Sequence, residues 1–259
     1  MTGSAVDPRI GVAREGALIC ISMRGGVQHN QLDESSCAAL TDAFATAADD
    51  PEARVVLLKG TPEFFCSGAA PELMLGDGND RADQWGRLLL AVLDCPLPTV
   101  AAAQGRALGG GLLLALSCDV KVLSHNSRYA ANFLVHGFTP IGGSLVPAAM
   151  GPTLGSEMLY TGRTYRGREL AERGAGVLVV PHEDVDREAS RNAARIAQAP
   201  RNSLELMKQQ LSSGIREQVK GALAAETAAH LESSLSAESL RRVNMLHGSH
   251  GSLHSGSER

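Results

Sequence analysis

The stretch Gln104-Gly105-Arg106-Ala107-Leu108-Gly109-Gly110-Gly111-Leu112-Leu113-Leu114-Ala115 follows an apolar segment, Thr99 to Ala103, and leads into the apolar helical pattern Leu112 to Ser117. Three successive glycines therefore stand where a strand turns into a helix. Glycine allows backbone angles that other residues avoid and lets a ligand approach the main chain. The first turn of a helix leaves N–H groups without internal partners at the positive end of its dipole, which suits a developing oxyanion. A tight turn that packs a helix on a sheet is the plainer explanation of such a triplet. The dinucleotide fingerprint is excluded, because G-x-G-x-x-G spacing is absent and no acidic residue follows at the required distance. What favours a site is a second segment, Phe64-Phe65-Cys66-Ser67-Gly68-Ala69-Ala70, which follows another strand, Arg54 to Lys59, and also ends in small residues.

Outward from these two segments the chain alternates strand and helix and then becomes helical. Ile10 to Ala13 and Ala17 to Met23 flank Arg14-Glu15-Gly16 and read as a hairpin. Cys37 to Ala48 reads as a helix closed by Asp49-Asp50-Pro51, and Val55 to Lys59 as a strand covered on both faces. Pro71 to Arg81 holds Gly76, Asp77, Gly78 and Asn79, so a mobile loop is expected there. Gln84 to Leu93 is a helix with Trp85, Leu88, Leu89 and Val92 on one face. Asp119 to Leu123 is the next strand, and Tyr129-Ala130 a short extended piece. Six helices follow: Gly143 to Met150, Thr153 to Tyr160, Arg168 to Arg173, Val185 to Ala197, Ser203 to Ser212 and Arg216 to Ser234. That order predicts an α/β core followed by a helical tail.

The bulk properties narrow the function classes. A chain of 259 residues, 44% apolar, can bury one large core, and its net charge of −4 gives no reason to expect nucleic acid as a partner. No run is long enough to span a bilayer, and Met1 to Pro8 lacks a signal-peptide core, so no membrane association and a cytoplasmic location are expected. The five cysteines are scattered without C-x-x-C spacing, which suggests neither a disulfide framework nor a metal site. Cys66 reads as a packed thiol rather than a nucleophile.

The two glycine segments resemble the marks of the enoyl-CoA hydratase/isomerase (crotonase) superfamily, F-x-x-G-A-D and A-x-G-G-G, at about the family separation. The similarity runs from roughly Arg9 to the helices near His230. Tyr129-Ala130-Ala131-Asn132-Phe133-Leu134-Val135-His136-Gly137-Phe138-Thr139-Pro140, Tyr160-Thr161-Gly162 and Tyr165-Arg166-Gly167-Arg168-Glu169-Leu170-Ala171-Glu172-Arg173-Gly174 resemble one branch more closely. Its members install polyketide β-branches by decarboxylating a glutaconyl-type group on an acyl carrier protein. The resemblance implies an α/β fold with a crotonase-like ββα spiral core over 1–199. A C-terminal helical trimerisation region follows over 200–246, and then a disordered tail over 247–259. It further implies a homotrimer or hexamer, a lyase, and no cofactor beyond the phosphopantetheine of the carrier protein, or coenzyme A, that bears the substrate.

Carried over by motif, the oxyanion hole is the amides of Ala69 and Gly110, with Gly68 and Gly109 beside the substrate. Hydratases of the family place glutamates where this chain has Leu113 and Phe133, neither of which can move a proton. An apolar pocket favours decarboxylation, since it disfavours a carboxylate and not neutral CO₂. In Glu226-Thr227-Ala228-Ala229-His230 the histidine matches the acid of the polyketide decarboxylases and is the chosen proton donor; His136 is a weaker candidate. The branch also carries a lysine in the lid, but no lysine lies between Lys59 and Lys121. Arg81 or Arg87 could receive the substrate carboxylate in its place. Arg24, Arg106 and Arg128 could contribute to a basic patch for an acidic carrier, though sequence does not put them on one face. The alternatives are a hydratase or dehydratase acting on enoyl or 3-hydroxyglutaryl thioesters, or both steps in one protein, and a non-catalytic protein of the same fold.

Overall fold

A computed structural model describes residues 7–25, 29–70, 73 and 79–247 of the chain. In chain order its strands are β1 (Ile10–Glu15), β2 (Leu18–Met23), β3 (Val55–Lys59), β4 (Phe64–Cys66), β5 (Thr99–Ala103), β6 (Arg106–Leu108), β7 (Val120–Ser124), β8 (Arg128–Ala130), β9 (Thr164–Arg166) and β10 (Leu178–Val180). The helices are α1 (Glu34–Asp49), α2 (Asn79–Asp94), α3 (Gly110–Ser117), α4 (Phe133–His136), α5 (Leu145–Met150), α6 (Pro152–Thr161), α7 (Gly167–Glu172), α8 (Val185–Ile196), α9 (Arg201–Ser234) and α10 (Ala237–His247), with a 3-10 turn at His182–Asp184 before α8.

The strands divide between two sheets. The larger has the order β1-β2-β3-β5-β7-β10, parallel except for the β1–β2 hairpin; the smaller has the order β4-β6-β8-β9, parallel except for β9. Three consecutive parallel strands of the large sheet each feed, after a short elbow, a strand of the small one: β3 to β4, β5 to β6, β7 to β8. Helices α2 and α3 follow β4 and β6. This is the ββα spiral that the family resemblance implies. β3 and β5 are buried apart from Lys59 and apolar apart from Lys59 and Thr99, as strands covered on both faces must largely be. Tyr129 staples one elbow, its hydroxyl donating to the Ala103 carbonyl at 2.7 Å and accepting from the Ser124 amide at 2.7 Å.

Polar clasps fix the helices to this frame. Asp33 caps α1 through the Ser36 amide while Ser36 Oγ accepts from the Asp33 amide, a reciprocal capping box. Arg9 bridges Asp7 and Asp33, and its hydrogen bonds hold both carboxyls down at about 2. At the far side Lys208 of α9 pairs with Asp119 at 2.7 Å, and the same carboxylate oxygen accepts from the Thr99 amide and hydroxyl. Val219 of α9 and Val243 of α10 belong to the same buried cluster as Leu113 and Phe133, so the helical tail packs on its own core.

The sequence reading needs correction at several elements. The predicted break between Ser212 and Arg216 is absent: α9 runs unbroken through Gly214, because Ser212, Ile215 and Val219 on either side are held by packing. That packing outweighs the roughly 1 kcal/mol a helical glycine costs. The expected all-helical second half contains β9 and β10, and β4 and β6 were not foreseen as strands. All four are three residues long, too short for periodicity to show. α2 begins at Asn79, within the expected mobile loop; the rest of that loop lies outside the described residues, apart from Leu73. The predicted tail also lies outside them except for His247, which closes α10. Among the described residues no helix is long and apolar enough to cross a membrane.

Candidate active site

The two glycine segments touch through their backbones. Gly68 has φ 96°, and a Cβ added there would sit 2.8 Å from the Leu108 carbonyl oxygen and 3.5 Å from the Gly110 nitrogen. A Cβ on Gly111 would lie 2.0 Å from the Cys66 carbonyl oxygen. Neither approach leaves room for any side chain, so glycine at both places is set by the crossing itself. Ala69 forms a parallel bridge with Leu32: Leu32 donates to the Gly68 carbonyl and Ala70 donates to the Leu32 carbonyl. In such a bridge Ala69's own N–H points away from Leu32. Gly109 precedes α3 without any side-chain cap, and Gly110 is its first residue. Among the described residues neither the Ala69 nor the Gly110 N–H has an acceptor.

Around the pair the lining is apolar. The Trp85 ring covers Gly110, 3.0 Å from where its Cβ would be, and its indole N–H is satisfied by the Ile141 carbonyl at 3.1 Å. Leu113 is fully buried, and its Cδ1 would lie 3.8 Å from a Cβ on Gly142. Phe133 reaches to within 3.9 Å of a Cβ on Gly109, then packs edge-on against Phe138 with ring centroids 6.4 Å apart. Phe138 in turn meets the His230 ring edge-on at 5.0 Å. An unbroken aromatic path thus joins the glycine triplet to the histidine of α9.

His230 is half-buried, and its Nδ1 lies 2.6 Å from the Thr139 carbonyl oxygen. A carbonyl only accepts, so Nδ1 carries the proton and Nε2 is left with the lone pair in the neutral ring. Burial lowers the pKa of this histidine below the ordinary 6.5, opposed by its bond to Thr139. Glu226 and Ser233 share its helix face: Glu226 accepts from the Gly142 amide at 2.7 Å, and Ser233 Oγ accepts from the Thr139 amide at 3.1 Å. Ser239 of α10 donates to the Gly137 carbonyl at 2.8 Å. One face of α9 therefore holds the segment 137–142, and that segment fixes the tautomer of His230.

Other candidates fall elsewhere. His136 bonds the Asn132 carbonyl through Nδ1 at 3.0 Å and tilts against Phe138 at 5.7 Å, on the aromatic cluster but three residues beyond Phe133, the ring that reaches Gly109. Arg87 is exposed, on the side of α2 opposite Trp85, so the structure does not bring it to the glycines. The Arg81 side chain lies outside the described residues. Cys66 is fully buried and its thiol is pushed up to about 12 by burial, which leaves no thiolate at neutral pH. Trp85, Glu226 and Ser233 had no site role in the sequence reading. The spacing Glu226, His230, Ser233 on one helix face was a readable signal, whereas their partner segment, 137–142, was not.

Comparison with known proteins gives the family. The chain belongs to the enoyl-CoA hydratase/isomerase family, whose model matches residues 13–246. Within that family it groups with decarboxylases of polyketide assembly. It is 33% identical over 252 residues to the bacillaene synthase decarboxylase PksI of Bacillus subtilis, covering 96% of this chain and 100% of that one. Among solved structures it resembles the ECH2 decarboxylase domain of CurF from Lyngbya majuscula, with a TM-score of 0.83 and 34% identity over 93% of this chain and 100% of the other. A structure from a dehydratase/decarboxylase enzyme couple involved in polyketide β-branching matches at TM-score 0.85 and 31% identity, over 92% and 96%. Decarboxylation and hydration are both lyase chemistry, and the chain is an enzyme of that class.

Proposed function

We propose that this enzyme decarboxylates a glutaconyl-type thioester, 3-methylglutaconyl or a homologue, carried on the phosphopantetheine of an acyl carrier protein during polyketide β-branching. The observation that carries the reading is the exchange of hydratase carboxylates for buried Leu113 and Phe133 on an aromatic cluster that ends at His230. Such a lining disfavours the substrate carboxylate and leaves CO₂ unaffected. The carbon–carbon bond to the carboxylate breaks, CO₂ leaves, and the electron pair runs through the conjugated double bond onto the thioester oxygen. The amides of Ala69 and Gly110 stabilise the resulting dienolate, each worth about 3 kcal/mol by analogy with other oxyanion holes. Protonated His230 then delivers one proton to carbon through Nε2, restoring the thioester and leaving the ring neutral.

The low pKa of His230 suits this order of events. The free enzyme holds a neutral ring at pH 7, and the arriving carboxylate raises the pKa and draws a proton onto Nε2. The thioester itself is the electron sink, so no metal or redox cofactor is called for. Leu206, Met207 and Leu211 stand exposed on α9, and with Tyr160 they support a homotrimer or hexamer as the working form; the location proposed for it is the cytoplasm.

The test is to offer 3-methylglutaconyl and 3-hydroxy-3-methylglutaryl carrier protein separately and follow product mass. Loss of CO₂ from the first, abolished in His230→Ala, is the expected result. Loss of water from the second without decarboxylation of the first would make the protein a dehydratase, and no change in either would leave a binding protein.

A further inference from the structure

We propose that Arg106, Arg128 and Arg166 form the docking surface for an acidic carrier protein, an inference that rests on the carrier-borne reading above. Strands β4, β6 and β8 are parallel, so their first residues share one edge of the small sheet. β9 is antiparallel, and its last residue, Arg166, returns to that edge opposite Arg128. The three guanidinium groups line a depression of about 700 Å³ that also takes in Phe64 and His182. They line an adjoining one of about 440 Å³ as well.

None of the three forms an ion pair among the described residues. Glu63 and Glu183 lie in the same depression without reaching salt-bridge distance, and Glu169 is engaged by Arg163. Arg106 lies over the Phe64 ring, 5.2 Å from its centroid, and Arg168 adds a fourth cation through Asn126 Oδ1 at 3.4 Å. Clustering like charges is unfavourable by itself. Nor does it follow from a basic chain, since the net charge is −4. An acidic partner would be repelled by most of this molecule and steered to that edge. The depressions are open and their arginines exposed, which fits the face of a protein better than an enclosed small anion. Phe64, at the rim, opens β4, the strand that leads to Gly68 and Ala69, so the proposed docking edge and the glycine end are the two ends of one strand. Arg24 does not join the group: it folds over β1, its Nε 2.1 Å from where a Cβ of Gly11 would be.

The test compares the wild type with Arg106→Glu/Arg128→Glu/Arg166→Glu and with the single Arg166→Glu. Affinity is measured by titration with an unloaded phosphopantetheinyl carrier protein from a β-branching polyketide module, turnover with one acyl group on that carrier and on coenzyme A, and assembly by light scattering. The triple variant should lose about tenfold or more in carrier affinity and lose its salt dependence, with the single variant between. Turnover of the coenzyme A ester should stay within about twofold, with the assembly unchanged. Undiminished carrier affinity, an equal loss with both esters, or a changed oligomer, which would make the patch a contact between copies, overturns the proposal. Because the titration needs no turnover, a wild type that binds carrier and decarboxylates nothing sinks the functional reading alone. A wild type that decarboxylates while the triple variant binds normally sinks the docking surface alone.

Discussion

The two ends of the small sheet are built on opposite principles. Where β4 and β6 end, the chain strips away side chains: Gly68-Ala69 and the triplet Gly109 to Gly111 leave the Ala69 and Gly110 N–H groups without acceptors among the described residues, while the Gly109 N–H is held by the Ala130 carbonyl. Where the same strands begin, it adds long cationic side chains, Arg106 and Arg128, with Arg166 beside them. On the proposed reading, function at the first end depends on backbone direction and the exclusion of water, and at the second on charge that must stay in water. A substitution at the glycine end should therefore change the rate of chemistry, and one at the arginine end should change only which carrier is recognised.

The largest break of that contrast comes from the histidine serving the glycine end. His230→Ala should lower kcat by about 10²–10⁴ while leaving the melting temperature within a few degrees, as expected of a general acid; calorimetry beside turnover assays checks both. Gly68→Ala comes next, because its Cβ meets the Leu108 carbonyl at 2.8 Å and its φ of 96° is strained for alanine. The Ala69 amide would swing off target, with a loss of kcat of about 10²–10³ and of stability as well.

Glu226→Ala should cost less, roughly tenfold in kcat with KM little changed, since it loosens the Gly142 amide and not a reacting group. Retention of activity by Glu226→Gln, which keeps an oxygen acceptor, would sharpen that assignment to positioning. The pH profile is a finer probe. Burial lowers the His230 pKa, and the donor must be protonated, so kcat/KM should be full on the acid side and fall as pH rises through a value below 6.5. The corresponding limb of kcat should lie at higher pH, because the bound carboxylate raises the same pKa. Coincident limbs in His230-dependent turnover would count against the histidine as donor. The smallest effect belongs to the arginine end: charge reversal there should barely move turnover of a coenzyme A ester.

Much of the glycine end was legible in the amino-acid order. Small residues after a strand have few local uses, and two such segments, Gly68-Ala69 and Gly109 to Gly111, fit a paired donor site by motif alone. The replacement of acids by Leu113 and Phe133 was equally plain, as was the candidacy of His230. The arginine end was legible only in part: Arg106 and Arg128 were candidates for a carrier patch, but so was Arg24, and Arg166 was not. Arg106, Arg128 and Arg166 are far apart in sequence and lie on or beside three-residue strands, whose pairing is set by neighbours and leaves no periodic trace. The same limit hid β9 and β10, whereas α9 looked broken because the packing that outweighs Gly214 is not visible in the sequence.

The sequence by itself determined the strand-and-glycine core, the apolar residues Leu113 and Phe133 and a histidine on the long C-terminal helix, because these depend on residue types at short separations. Only the tertiary structure decided that Gly68 lies against Leu108 and Gly110, that the Thr139 carbonyl fixes the His230 tautomer, and that three arginines share an edge while Arg24 and Arg87 stand apart. Those outcomes depend on where the elbows between two sheets carry the chain, and long-range register is set by packing of the whole core rather than by any local stretch of residues.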